Sequence, residues 1–341
     1  MRMQTIALAL VLVAAGALGA CSSEALGSAD GGLDAGAPDS GGLFAGPTIG
    51  PDIYDCRVAS APLPRRPARA VPLSCAFDPA CTSPLVVAHR SAGGVAPGLG
   101  VLAPENTLSA LRAAIVLGVD FVETDPRLTR DGELVNVHDP DISLTTTGTG
   151  NVDALTWAQI QALPLRYPDT LRGDFSCERT LLIRELLVAA KGRILVLLDA
   201  NKIPLEAVDA LVDLVLETDT LAEAVFDTSS LDKVARARAR APNIRVHIRP
   251  DTAADIAPQV AQVGLPPPVI LELDLGDLDE AIPEARRVLP SAKLMSDVLG
   301  GLDLQMAIEG EPPAELLDLY TRGVQLLQTD RPDLVLRALG R

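Results

Sequence analysis

Two neighbouring segments decide the reading of this chain: PLVVAHRSAGG at 84–94 and APENTLSALRAAIVLGVDFVETDPRLTRDGELVNVHDPDISLTTTGTG at 103–150. Each of three short apolar runs in them ends in polar side chains. Val86-Val87-Ala88 is followed by His89-Arg90, Phe121-Val122 by Glu123-Thr124-Asp125, and Leu134 to Val137 by His138-Asp139. Their length and β-branched content, bounded by Pro84 and by Asp131-Gly132, predict strands with polar side chains at the carboxyl ends. Glu123 and Asp125 are two apart, so on a strand they project from one face. Two hard oxygen donors on one face suit Mg²⁺ or Ca²⁺.

Working outward, Asn106 or Thr107 caps a predicted helix that runs through Leu117, ends at Gly118 and carries Arg112 on an exposed face. Asp125 and Leu134 are too close for a helix between them, so a loop with an Asp131-Gly132 turn joins the two runs. Thr156 opens another helix at Trp157. Later strand candidates lie at 193–199, 224–227, 244–247, 269–274, 293–297 and 324–329, with helical stretches such as 205–216 and 231–240 between most of them. This alternation over roughly 255 residues predicts a single α/β domain, a TIM-type (β/α)₈ barrel. With the first three runs there are nine candidates for eight places, so one is either not a strand or lies outside the barrel.

The ordered set His89-Arg90, Pro104-Glu105-Asn106-Thr107, Glu123-x-Asp125, Asp131-Gly132, His138-Asp139 and TTTGTG at 145–150 resembles the glycerophosphodiester phosphodiesterase family. The closing GVQLLQTDRPDLVLRAL at 323–339 resembles that family's last strand and helix. The resemblance implies a barrel with a phosphodiester site at the carboxyl ends of its strands. It implies that His89 and His138 are the acid/base pair, that Arg90 contacts phosphate, and that Glu123 and Asp125 are metal ligands. The chemistry agrees with those residue types: phosphodiester cleavage needs charge neutralised on non-bridging oxygens, a base for the attacking hydroxyl and an acid for the leaving alkoxide.

Three positions depart from the family pattern. Its fourth strand ends in Glu-x-Lys, whereas Asp199-Ala200-Asn201-Lys202 stands here. Asp199 follows an unbroken apolar run from Ile194, where an unpaired carboxylate is costly, so it is the third candidate ligand. Lys202, a candidate substrate contact, is displaced by one residue and turns to the other strand face unless the backbone bulges. The usual His-Arg-Gly reads His89-Arg90-Ser91, and extra residues at 94–103 lengthen the first loop at the mouth. Glu105 is either part of the metal or substrate site or an ordinary helix start. Glu272, Asp274 and Asp297 end later strands and are candidates for the mouth, while the third histidine, His247, lacks such surroundings and reads as structural.

The amino-terminal quarter has a different character. Residues 1–20 carry a basic second residue and an apolar run from Ile6 to Ala17 too short to span a membrane comfortably, which predicts a secretory signal. Cys21, directly after Leu18-Gly19-Ala20, resembles a lipobox cysteine and is the expected lipidation site. Residues 21–51 are rich in Gly, Ala, Ser and Asp and predict a flexible tether with a random-coil span on the order of 30 Å. Residues 52–83 form a Cys/Pro-rich extension, and 84–341 the barrel. Cys56, Cys75, Cys81 and Cys177 remain, and an oxidising compartment favours two disulfides. The sequence leaves three pairings open; Cys75–Cys81 closes the shortest loop, and with Cys56–Cys177 it is the expected set.

Hydrophobic residues make up 48% of the 341, enough for one large core. The formal net charge of −16 argues against a nucleic-acid partner. The expected protein is a metal-dependent hydrolase of glycerophosphodiesters, exported and lipid-anchored to a bacterial membrane. Because Ser22 rather than Asp follows Cys21, the outer membrane is expected. Two alternatives are a lysolipid phosphodiesterase of the sphingomyelinase D or phospholipase D-like kind, which an aspartate third ligand also resembles, and an inactive barrel serving as a surface binding lipoprotein.

Overall fold

The computed structural model describes residues 49–93, 102–167 and 171–341. The signal segment, Cys21, the tether up to residue 48 and residues 94–101 of the first loop lie outside the described residues. In chain order the strands are β1 (Leu85–Ala88), β2 (Phe121–Thr124), β3 (Pro126–Leu128), β4 (Leu134–Asn136) and β5 (Leu195–Asp199). They continue with β6 (Ala224–Thr228), β7 (Arg245–Ile248), β8 (Ile270–Glu272), β9 (Lys293–Asp297) and β10 (Leu326–Thr329). Eight of them close a parallel barrel in the order β1, β2, β5, β6, β7, β8, β9, β10 and back to β1.

The candidate left over is the run from Leu134. As β4 it pairs antiparallel with β3, Arg127 opposite Val135, in a hairpin that extends beyond the end of β2. A parallel neighbour would require a crossover of a dozen or more residues, and the few between β3 and β4 suffice only for a turn. Gly132 makes that turn at φ +88°, and its N–H donates to the Thr129 carbonyl.

Strand parity sorts the core into two layers. Leu85, Val87, Phe121, Leu197, Val225 and Leu326 fill the barrel interior, whereas Val86, Val122, Val196, Phe226, Val246 and Leu327 pack outward under the helices. Continued to the carboxyl ends, the same alternation turns His89, Glu123, Asp199, Asp227, His247 and Glu272 inward. The upper layer of the barrel is therefore polar.

Helix α1 (Leu108–Leu117) is capped by Thr107, whose Oγ1 accepts from the Ala110 N–H at 3.2 Å, and it ends at left-handed Gly118. Helix α2 (Trp157–Gln161) starts at a Thr156–Gln159 capping box. Arg112 differs from expectation: it is buried, and its guanidinium donates to the carbonyls of Ala59, Ala61 and Pro62. The extension lies over α1, and its Pro-rich backbone carbonyls need donors that an arginine fork supplies.

The extension also closes the amino-terminal end of the barrel. Cys75 and Ala76 join the interior cluster, Phe77 packs edge-on to Phe121, and Arg245 lies 3.9 Å over the Phe77 ring. Lys293 Nζ donates to the carbonyls of Asp78 and Cys81 at 2.9 and 2.5 Å. Disulfides join Cys75 to Cys81 and Cys56 to Cys177. The second closes a sequence separation of 121 residues, for which loop-closure entropy contributes about 5 kcal/mol. Among the described residues, no helix is long and apolar enough to cross a membrane.

Candidate active site

The site begins where β1 runs out. Arg90, Ser91 and Ala92 follow at φ +46°, +64° and +80°, three consecutive left-handed residues without a glycine. The turn aims the Arg90 N–H at Glu123 Oε2 (3.0 Å), and the Arg90 carbonyl accepts from the Asn106 N–H (2.9 Å). The Arg90 guanidinium pairs with Glu105 Oε2 at 2.8 Å. Glu105 is thus the partner of Arg90 rather than the helix cap. Gly93 permits this approach, since a Cβ there would sit 2.0 Å from the Glu105 Cα.

Ser91 bears a cost of this turn: its backbone is left-handed, and its side chain is fully buried with the hydroxyl unpartnered. A left-handed L-residue costs roughly 1–2 kcal/mol, and a glycine gives back roughly 0.5–1 kcal/mol through unfolded-state entropy. Ser91→Gly is therefore expected to raise the stability in urea unfolding by about 1 kcal/mol at unchanged m-value. A loss of stability instead would show that the serine side chain is needed where it sits.

Glu123, Asp125 and Asp199 come together, each offering one oxygen within 4.8 Å of the others, and all three are buried. Lys202 reaches them through a single 3₁₀ turn, Ala200–Lys202, instead of the bulge its displacement called for. Its Nζ lies 2.6 Å from Asp125 Oδ1 and 2.7 Å from Asp199 Oδ2. Asn106, Asn136 and Asn201 hold the carboxylates in place: Asn106 Nδ2 donates to Asp125 Oδ2 (2.7 Å), Asn136 Oδ1 accepts from the Asp125 N–H (2.8 Å), and Asn201 Nδ2 donates to Asp199 Oδ1 (2.8 Å).

Burial alone would raise the Asp125 pKa, but the Lys202 ammonium and His138 outweigh it and hold the carboxyl at about 2. For Glu123 the same ammonium and the Arg90 N–H are outweighed. Burial, then the charges of Asp125 and Asp199, push it well above the usual carboxylate range. Three buried carboxyl groups crowd around one ammonium in a low-dielectric setting, and the raised Glu123 is the mark of the positive charge that the cluster lacks. An all-oxygen donor set in that state fits a hard divalent cation.

The two histidines flank this cluster. His89 Nδ1 lies 2.7 Å from Asp330 Oδ1, and its Nε2 is 3.9 Å from Glu123 Oε2. Asp330 is itself fixed, because its N–H and the Thr329 hydroxyl donate to Asp303 at 2.7 and 2.5 Å. His138 Nδ1 is 3.1 Å from Asp139 Oδ1, and the His138 carbonyl accepts two N–H donors from Arg127, at 2.8 and 2.5 Å. Burial pushes His138 below its ordinary value against the pull of Asp125, and Arg90 and Lys202 push the same way.

His247 stays apart from this pair. It is fully buried, 3.1 Å from Asp227 and 3.3 Å from Glu272, and although burial would lower it these acids hold it up at about 9. Arg249 joins the same network, with Nε donating to Asp227 Oδ1 at 2.9 Å and Nη2 lying 3.8 Å from Asp199. Glu272, Asp274 and Asp297 line a cavity of about 310 Å³ beside Arg249, as their strand-end positions suggested. Sequence reasoning missed Asp330, Asn106, Asn136 and Arg249. Asp330 carried a usable signal, since it directly follows β10 as His89 directly follows β1.

A closed parallel barrel with its polar side chains gathered on the carboxyl-terminal face places the chain among the (β/α)₈ proteins. Residues 89–248 match the Glycerophosphoryl diester phosphodiesterase family. Glycerophosphodiester phosphodiesterase 1 of Homo sapiens is 43% identical over 83 residues, 24% of this chain and 25% of that protein. The glycerophosphodiester phosphodiesterase of Caldanaerobacter subterraneus subsp. tengcongensis is 42% identical over 79 residues, 23% of this chain and 30% of the relative. The matched region thus spans under a third of either relative. Over longer stretches the fold is similar to that of a glycerophosphoryl diester phosphodiesterase from Parabacteroides distasonis, with TM-score 0.64, 20% identity, and coverage of 78% of this chain and 90% of that one. It is also similar to an Oleispira antarctica phosphodiesterase solved with the product sn-glycerol-3-phosphate, with TM-score 0.60, 20% identity, and coverage of 76% and 98%.

Proposed function

We propose that this protein hydrolyses glycerophosphodiesters to glycerol phosphate and an alcohol. The observation that carries the reading is the placement of His89 and His138 on either side of the buried Glu123, Asp125 and Asp199. Each ring is held at Nδ1 by a neighbouring carboxylate. His89 and His138 are the proton-moving groups, and burial, which lowers the His138 pKa, favours that ring as acceptor of the proton from the attacking hydroxyl. Arg90, braced by Glu105, and Lys202 supply positive charge for the phosphate oxygens. A Mg²⁺ or Ca²⁺ ion held by Glu123, Asp125 and Asp199 would neutralise further charge there.

The same reading makes the protein an exported lipoprotein, anchored at Cys21 to a bacterial membrane, with the outer membrane favoured by Ser22. Metabolic labelling with a radioactive fatty acid that disappears in Cys21→Ser supports the anchor, and persistence of the label overturns it.

The activity is tested by glycerol phosphate release from glycerophosphocholine by the full chain in detergent, with Mg²⁺, Ca²⁺ or EDTA. Turnover that EDTA removes is the expected result. A folded protein inactive on every glycerophosphodiester overturns the proposal. Turnover of lysophosphatidylcholine in that case would favour the sphingomyelinase D-like reading, and its absence the inactive barrel.

A further inference from the structure

Between the β3–β4 hairpin and the chain leaving β5 the mouth holds a second cavity, of about 530 Å³. Arg127, Arg130 and Lys202 line it together with apolar Ile203 and Pro204, and Asp153 is its acid. Lys202, whose ammonium sits 2.6 Å from Asp125, and Pro140, two residues past His138, both line this space, so it borders the reaction centre. Its volume lies within the range of small-molecule sites.

The charge here runs against that of the chain, which carries −16 overall. Arg127 directs its guanidinium to a neutral acceptor, the His138 carbonyl, which leaves its charge without a counter-ion in contact. Arg130 stands exposed one turn of the hairpin further out, and among the described residues neither arginine has a carboxylate within ion-pair distance. Two guanidinium groups over an apolar wall match a phosphate or carboxylate and repel an ammonium.

We propose that this cavity is the subsite for the alcohol portion of the substrate and that it selects alcohols bearing an anionic group. The inference rests on the phosphodiesterase reading above. The glycerol half of every glycerophosphodiester is uncharged and the phosphodiester itself faces Arg90 and Lys202 in that reading, so the arginines of this cavity are left to the alcohol.

The test compares kcat/KM for glycerophosphoglycerol with that for its terminally phosphorylated form, in the full chain and in Arg130→Gln. Arg130 is chosen over Arg127 because Arg127 also holds His138. The wild type is expected to prefer the phosphorylated substrate at least tenfold, and Arg130→Gln to shrink that preference about tenfold, the size of one charge-assisted contact. Arg130→Glu should reverse it. Turnover with no preference, or a preference that both variants keep, overturns the subsite while leaving the phosphodiesterase reading in place. Inactivity of the folded wild type on both substrates and on glycerophosphocholine overturns that reading, and the subsite with it.

Discussion

Asp330→Asn is expected to lower kcat for glycerophosphodiester hydrolysis by roughly 10²–10⁴-fold with little change in KM, the range seen when a proton-moving histidine loses its orienting carboxylate. His89 leaves β1 into a left-handed turn, and Asp330, at 2.7 Å from Nδ1, is the group that fixes its ring. Asp330 reaches that place from the far end of the chain, 241 residues away, held by Asp303 through its own N–H. Asparagine preserves the shape but removes the charge that stabilises a protonated ring, and it offers an N–H₂ that favours the wrong tautomer. The loss should therefore fall on the chemical step, and the pH–rate profile should shift along with kcat. A kcat within threefold of wild type, with an unaltered profile, would show that the ring of His89 is not a proton carrier.

The three polar-ended runs were legible because a strand that ends at a barrel mouth leaves a local record: apolar side chains, then a charged residue, within six positions. That record located His89, Glu123, Asp125 and His138, and the run from Ile194 did the same for Asp199. It did not separate a barrel strand from a hairpin strand, because Leu134 to Val137 has the length of β1 and, Asn136 apart, its apolar character, and its short connection to β3 is what excludes it from the barrel. Arg112 was misread for a different reason. Its helix position looked solvent-facing until the extension folded over it, and nothing within α1 encodes that cover. The Asp330 contact joins neighbouring strands from opposite ends of the chain, and the Arg249 contact reaches from β7 across β6 to β5, so periodicity along either strand is silent about them.

Lys202 shows most clearly how the site depends on what sequence spacing hides, and replacing it should have a large effect on stability. The 3₁₀ turn after β5 places its ammonium between Asp125 and Asp199, where its side chain is 16% exposed and theirs are 0% and 8%. Burial disfavours the charged lysine, yet Asp125, Asp199 and Glu123 together hold its pKa above the ordinary value. Lys202→Met would leave the buried carboxylates without their cation, and breaking a buried pair in this way costs about 3–5 kcal/mol. In EDTA the variant is expected to unfold at correspondingly lower urea. If Glu123, Asp125 and Asp199 are metal ligands, Mg²⁺ or Ca²⁺ should restore more stability to the variant than it adds to the wild type, since the ion no longer shares the carboxylates with an ammonium. A ligand at 100 times its Kd contributes about 2.7 kcal/mol by mass action. An equal gain in both proteins would place the metal elsewhere, and an undiminished stability in EDTA would mean that the carboxylates do not rely on Lys202 for their charge.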